Sequence, residues 1–104
     1  MTVDEIINHI ESKGYENISK LERKGGAFEY AFTQPSSDIK LTITFYKYPL
    51  LKDVYDVRFE YHSYRSFSEI WQMCNLDLTE KVIDLMIFKF SKDYTSYYFI
   101  NNFL

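Results

Sequence analysis

Two stretches decide the fold: Ile39-Lys-Leu-Thr-Ile-Thr-Phe-Tyr46 and Tyr55-Asp-Val-Arg-Phe-Glu-Tyr-His62. In the first, Ile39, Leu41, Ile43 and Phe45 alternate with Lys40, Thr42, Thr44 and Tyr46. In the second, Tyr55, Val57, Phe59 and Tyr61 alternate with Asp56, Arg58, Glu60 and His62. Successive side chains of a strand point to opposite faces, so each stretch predicts a strand with one buried and one polar side. Pro49 and Asp53 mark the link between them. Antiparallel pairing would set Lys40 near Glu60 or His62, a favourable exposed pair.

Upstream, residues 15–33 predict a weaker hairpin around Gly25-Gly26. Phe28, Tyr30 and Phe32 alternate with Ala27, Glu29 and Ala31, whereas Tyr15–Arg23 alternates poorly. A two-residue loop would oppose Glu22 to Glu29, which like charges disfavour; a three-residue loop pairs Glu22 with Phe28. Both registers stay open. A turn at Pro35-Ser36-Ser37 leads into the central strands.

The chain opens with a helix over residues 3–13. Val3, Ile6, Ile7 and Ile10 form an apolar stripe at helical spacing. Thr2 and Glu5 have capping-box spacing, Met1 and Ile6 are placed as a hydrophobic staple, and Gly14 suits the left-handed residue that ends many helices. Asp4 and Glu5 near the start and Lys13 near the end match the helix dipole. These signals together predict that Met1 is the true start.

Downstream, Ser66 and Glu69 again have capping-box spacing, and Phe67, Ile70, Trp71 and Cys74 fall at i, i+3, i+4 and i+7. They predict a second helix ending near Asn75. Asp77 or Thr79 could cap a further helix to about Lys89, apolar around most of its axis. Alternatively Leu85–Phe90 is a strand, because Met86, Phe88 and Phe90 also alternate, with Lys92-Asp93 as the turn of a terminal hairpin. Tyr94–Leu104 is too apolar for a frayed tail and is expected to dock on the domain or on a partner. A homodimer through this C-terminal segment is expected where apolar surface stays exposed. The whole, residues 1–104, reads as one α+β domain: an N-terminal helix, an antiparallel sheet of about four strands in two hairpins, then one or two helices and an aromatic C-terminal segment.

Composition bounds the function. Hydrophobic residues are 46% and charged residues 26% of the 104, ordinary globular values that argue against disorder. Ten Tyr, nine Phe and one Trp make an aromatic-rich chain, which suits either a core with half-exposed Tyr or a binding face. A net charge of −3 weighs against nonspecific nucleic-acid binding. Cys74 is the only cysteine, so no disulfide can form within the chain, and with no leader visible a cytoplasmic location is expected. The longest apolar runs fall short of a membrane span.

No catalytic or metal motif stands out, and no cofactor is expected. The two histidines and one cysteine lack zinc-ligand spacing. His9 is expected on the solvated side of the first helix, and Cys74 in the core as an inert thiol. Ser63–Ser68 has no G-x-S-x-G elbow, and Gly25-Gly26 is a turn rather than a phosphate loop. Asp56 and Glu60, four residues apart on one strand face, lie roughly 13 Å from each other, too far for the usual two-carboxylate glycosidase pair.

What remains is the polar side of the central hairpin: Lys40, Thr42, Thr44, Tyr46 and Tyr48 on one strand, Asp56, Arg58, Glu60, His62 and Tyr64 on the other. Left uncovered, it would be a platform of Tyr, hydroxyls and charges suited to recognising a protein, or else a plain solvated face. The same face could stack the bases of a single strand, but the sequence signature of an RNA-recognition strand is absent, and Asp56 and Glu60 repel phosphates. A nucleic-acid regulator would use Lys40, Arg58 and Arg65; a small enzyme would use His62 with Glu60, and a pocket around His62 is then expected. The composition, rich in Lys, Ile, Asn, Tyr and Phe and poor in Gly and Pro, resembles that of the small proteins of phages and mobile elements in low-GC bacteria. Many of those inhibit a host or defence enzyme by direct contact, anti-CRISPR proteins among them. That resemblance implies a non-enzymatic, protein-binding inhibitor whose partner is a nuclease or another defence or host enzyme.

Overall fold

The computed structural model describes residues 1–35, 37–63 and 67–103, with no account of the side chains of residues 102 and 103. Helix α1 (Val3–Ser12) is followed by strands β1 (Glu16–Glu22), β2 (Phe28–Thr33), β3 (Lys40–Lys47), β4 (Tyr55–His62) and β5 (Ser68–Cys74), and by helix α2 (Glu80–Phe103). The five strands form one antiparallel sheet in chain order. The fold is therefore α+β as expected, with one strand more than the sequence suggested.

β3 and β4 pair in the register that sets Lys40 opposite His62 and Phe45 opposite Val57. That register directs Leu41, Ile43 and Phe45, with Val57, Phe59 and Tyr61, to one face. There they pack with Ile6, Ile7 and Ile10 of α1 and Ile83, Met86 and Phe90 of α2. Both helices thus cover the same side. Tyr61 stacks on Phe90 at 5.0 Å between ring centroids, with Trp71 edge-on to Phe90 at 6.2 Å, an arrangement aromatic pairs favour. Burial pushes the phenols of Tyr15 and Tyr61 up, so both stay neutral inside the core.

The capping box and the Gly14 terminator of α1 hold. The Thr2 amide donates to Glu5 Oε1 (2.9 Å) and the Glu5 amide to Thr2 Oγ1 (3.2 Å), which closes the capping box. Gly14 takes φ +91°, where a side chain would be strained. In the first hairpin the three-residue loop wins: Glu22 faces Phe28, and Gly25 and Gly26 adopt φ +83° and +80°. Glu29 is left free to pair with Arg23. β1 alternates poorly because its register shifts between Asn17 and Ser19, and all seven of its residues are exposed.

Two expectations fail, and one open alternative is decided in favour of the helix. Ser68–Cys74 is a strand and not a helix. Glu69, Trp71 and Met73 face the core side, opposite Tyr61, Phe59 and Val57; Ser68, Ile70, Gln72 and Cys74 face outward. The open edge of β4 needs a hydrogen-bonding partner, and that tertiary demand overrides a helical spacing only seven residues long. Cys74 is consequently half-buried on the outer side, and the proposed cap Ser66 lies outside the described residues. Next, Glu80–Phe103 is one helix, without a strand at Leu85–Phe90 or a turn at Lys92-Asp93. Thr79 caps it by accepting from the Val82 amide (3.2 Å), and the Lys89–Asp93 ion pair (2.6 Å, i to i+4) bridges the supposed turn. Finally, His9 is not solvated. Its side chain sits against α2, where Nε2 donates to Asp84 Oδ1 (2.7 Å), and Lys13 Nζ reaches the same oxygen (3.2 Å).

Asn75, expected only to end a helix, is a buried hub at 3% exposure. Its Oδ1 accepts from the Tyr55 amide (2.8 Å), and its Nδ2 donates to the carbonyls of Met1 (3.0 Å) and Asp53 (3.1 Å). The Met1 nitrogen donates back to the Asn75 carbonyl (2.8 Å). One side chain therefore ties the start of α1, the β3–β4 turn and the β5–α2 link.

Asn75→Ala strands those backbone groups in the interior and is expected to cost about 2–4 kcal/mol in urea denaturation. Hydrogen bonding by His9, with help from Lys13, holds the Asp84 carboxyl below its ordinary value. A lowered folded value means that this contribution is complete above the ordinary aspartate range and is lost as pH falls through the folded one. Acid titration of stability should therefore lose part of its low-pH decline in Asp84→Asn, while neutral-pH stability falls; an acid limb unchanged by the substitution would refute the clasp.

Candidate functional site: the outer sheet face

The register that builds the core also lays out the opposite face. Reading across the strands, one row is Thr33, Lys40, His62 and Ser68. The next is Ser19, Ala31, Thr42, Glu60 and Ile70, the next Leu21, Glu29, Thr44, Arg58 and Gln72, and the last Tyr46, Asp56 and Cys74. Lys40, Thr42, Thr44, Tyr46, Asp56, Arg58, Glu60 and His62 are thus brought onto one surface as expected. Tyr48 lies just past the end of β3 and joins them through its hydroxyl, which donates to Asp56 Oδ1 (2.9 Å). Tyr64 lies outside the described residues.

The centre of this surface is ordered by one carboxylate. Glu60 Oε1 lies 3.1 Å from Arg58 Nε, and Glu60 Oε2 lies 3.3 Å from His62 Nε2. Arg58, Glu60 and His62 sit at every second position of β4, so their side chains stand side by side on one face. Arg58 therefore pairs with Glu60 rather than bridging both acids, and Asp56 is left to Tyr48. That carboxylate's hydrogen bond and charge push the Tyr48 phenol up. Beside the row, Thr42 and Thr44 are only 7% and 3% exposed, flanked by Ala31 and Glu60 and by Glu29 and Arg58. The floor is consequently nearly buried hydroxyl and methyl surface beside the Arg58, Glu60 and His62 row.

Both flanks are apolar. Ile18 and Leu21 on β1 and Ile70 on β5 are each about half exposed. Sequence reasoning missed Ile70 and Gln72 because Ser68–Cys74 also fits a helix; alternation through Phe67, Glu69, Trp71 and Met73 was the available signal. At the Lys40 and His62 end a cleft of about 450 Å³ opens between Ile18, Thr33, Asp38, Lys40, His62 and Ser63. This is the pocket expected beside His62. The Asp38 carboxylate lines the same cleft, so its charge opposes that of Lys40 there, and Glu60 could orient His62 for proton transfer.

Among the described residues no cluster of His, Cys, Asp or Glu could hold a metal ion, and no helix is long and apolar enough to cross a membrane. No protein-family model, curated protein or solved structure matches this chain.

Proposed function

We propose that this chain is a non-enzymatic binding module that docks a protein partner on the outer face of its sheet. The observation that carries it is the row of Arg58, Glu60 and His62, with Glu60 within 3.1–3.3 Å of both neighbours, beside nearly buried Thr42 and Thr44, on a face to which neither helix is assigned. The buried Nε of Arg58 makes no hydrogen bond among the described residues, so a partner's acceptor could satisfy it. Tyr46 and Tyr48 add rigid amphipathic contact area at one end, and Leu21 and Ile70 add apolar flanks. The pairing of Arg58 with Glu60 also favours a protein over a nucleic acid, since that cation is already matched by a carboxylate. The partner is a host or defence enzyme, a nuclease among the candidates, inhibited by direct contact in the manner of anti-CRISPR proteins; the composition of the chain supports that finer assignment.

The test is affinity capture from a low-GC bacterial lysate, with and without nuclease, in parallel with a variant carrying Tyr46→Ala, Arg58→Ala and Glu60→Ala. A stoichiometric protein that survives nuclease and is lost by at least tenfold with the variant is the expected result. Retention of that protein by the variant would refute the surface. Recovery of nuclease-sensitive material alone would replace the proposal with a nucleic-acid regulator using Lys40, Arg58 and Arg65.

A further inference from the structure

The sheet has two edges, and they are built differently. β1 carries Glu16, Lys20 and Glu22, and its pairing with β2 slips between Asn17 and Ser19. Charges and a bulge are common means of keeping foreign strands off an edge. The β5 edge is plainer. Its register with β4 runs without a shift from Cys74 opposite Asp56 to Ser68 opposite His62, and it contains no proline. Glu69 is its one charged residue, and Lys89 Nζ meets that carboxylate at 3.2 Å. The Ser63 amide donates to the Phe67 carbonyl (3.1 Å), and bonded and non-bonded pairs alternate along an antiparallel ladder. Glu69, Trp71 and Met73 therefore bond to Tyr61, Phe59 and Val57 of β4, and the amides and carbonyls of Ser68, Ile70 and Gln72 point away from the sheet. Those three residues are exposed, and their outward groups have no backbone partner among the described residues.

Donors and acceptors repeated about every 7 Å along a strand are complementary to another extended backbone. The side chains beside the row narrow the occupant further. On the core side Trp71 and Met73 lie with Val82 of α2 around a shallow apolar crevice. Val82, Leu85 and Lys89 are spaced three and four apart, which keeps them on one side of the helix. Lys89 shows that this side runs along β5, and Leu85 on it is 60% exposed. On the outer side Ile70 is 49% exposed. An added strand alternates its side chains between the two sides. Apolar residues suit its core-side positions, opposite Trp71 and Met73, and uncharged residues suit its outer side. We infer that β5 accepts an extended segment of the protein partner as a sixth strand, with apolar residues at alternate positions. The inference rests on the docking role proposed above and names the part of the partner that enters. Ile70 and Gln72 belong to the docking face, so the added strand continues that face outward. A second copy of this chain is disfavoured as the occupant, because each copy carries a net charge of −3.

A library of short linear peptides displayed on phage and panned on the full chain supplies the probe. The selected sequences are expected to carry apolar residues at alternate positions. A synthetic copy of the strongest is then added to isotope-labelled protein and amide hydrogen exchange is followed. In the free chain the Ile70 and Gln72 amides should exchange fast and those of Trp71 and Met73 slowly; bound peptide should slow Ile70 and Gln72 by at least tenfold. Gln72→Pro removes one outward donor and should weaken the peptide by at least tenfold. Leu85→Glu, at an exposed helix position that leaves the sheet untouched, should weaken it as well, with circular dichroism unchanged in both variants. The variant with Tyr46→Ala, Arg58→Ala and Glu60→Ala separates edge from face, because it should bind the peptide as the parent does. Slowed exchange at Ile70 and Gln72, together with a captured partner that this triple variant retains, would sink the docking face and leave the edge standing. Failure to select any peptide would overturn the inference. So would protection that falls on Lys20 and Glu22 of β1 or on the helices, or slowing of Ile70 and Gln72 by raised protein concentration alone.

Discussion

The pairing of β3 with β4, Lys40 opposite His62 through Lys47 opposite Tyr55, is the constraint on which the remaining structure depends. Side chains alternate with a period of two, so a slip of one residue would turn Leu41, Ile43 and Phe45 into water and Thr42 and Thr44 into the core. Once this register is set, the apolar side must be covered. The chain supplies one helix before the sheet and one after it, both of which pack on that side. The other side is left as a regular array whose rows are dictated by the same pairing. Core and candidate site are two faces of a single register.

Polar contacts then fix where the helices sit. Asn75 joins three chain segments at one end of the molecule, and the His9–Asp84–Lys13 contact joins α1 to α2. Neither is needed to drive collapse, which the aliphatic and aromatic core provides. Their effect is positional. A buried amide that satisfies backbone groups from three places is matched only when all three are in place. Ion pairs from Lys89 to Glu69 of β5 and to Asp93 do the same for the middle of α2.

The parts of this fold legible in the sequence are those specified locally. Val3–Ile10, with its capping box, and the two central strands each carry their own periodicity and punctuation, and their partners along the face follow from it. Ser68–Cys74 was not legible because Phe67, Ile70, Trp71 and Cys74 satisfy a helical period while Phe67, Glu69, Trp71 and Met73 satisfy an extended one. The edge of β4 decides between them, and that edge is a tertiary fact. The error propagated to the site: Ile70, Gln72 and Cys74 belong to the outer face and were assigned to a helix. Lys92-Asp93 resembled a turn because consecutive polar residues interrupt an apolar run. In the helix, Lys92 lies on the exposed side and Asp93 pairs with Lys89 one turn earlier. His9 could be placed on the polar side of α1, but not against Asp84, seventy-five residues away.

A polar face with apolar flanks, on a domain whose helices crowd the other side, is the feature that sets this molecule apart from a plain two-layer fold. Its assignment as the docking surface is tested most directly by backbone amide chemical shifts of isotope-labelled protein, recorded with and without the captured partner. Shifts concentrated at Thr42, Thr44, Tyr46, Arg58, Glu60 and Ile70, with α1 and α2 little changed, are the predicted result. Shifts confined to the helices, with β3 and β4 unmoved, would contradict it.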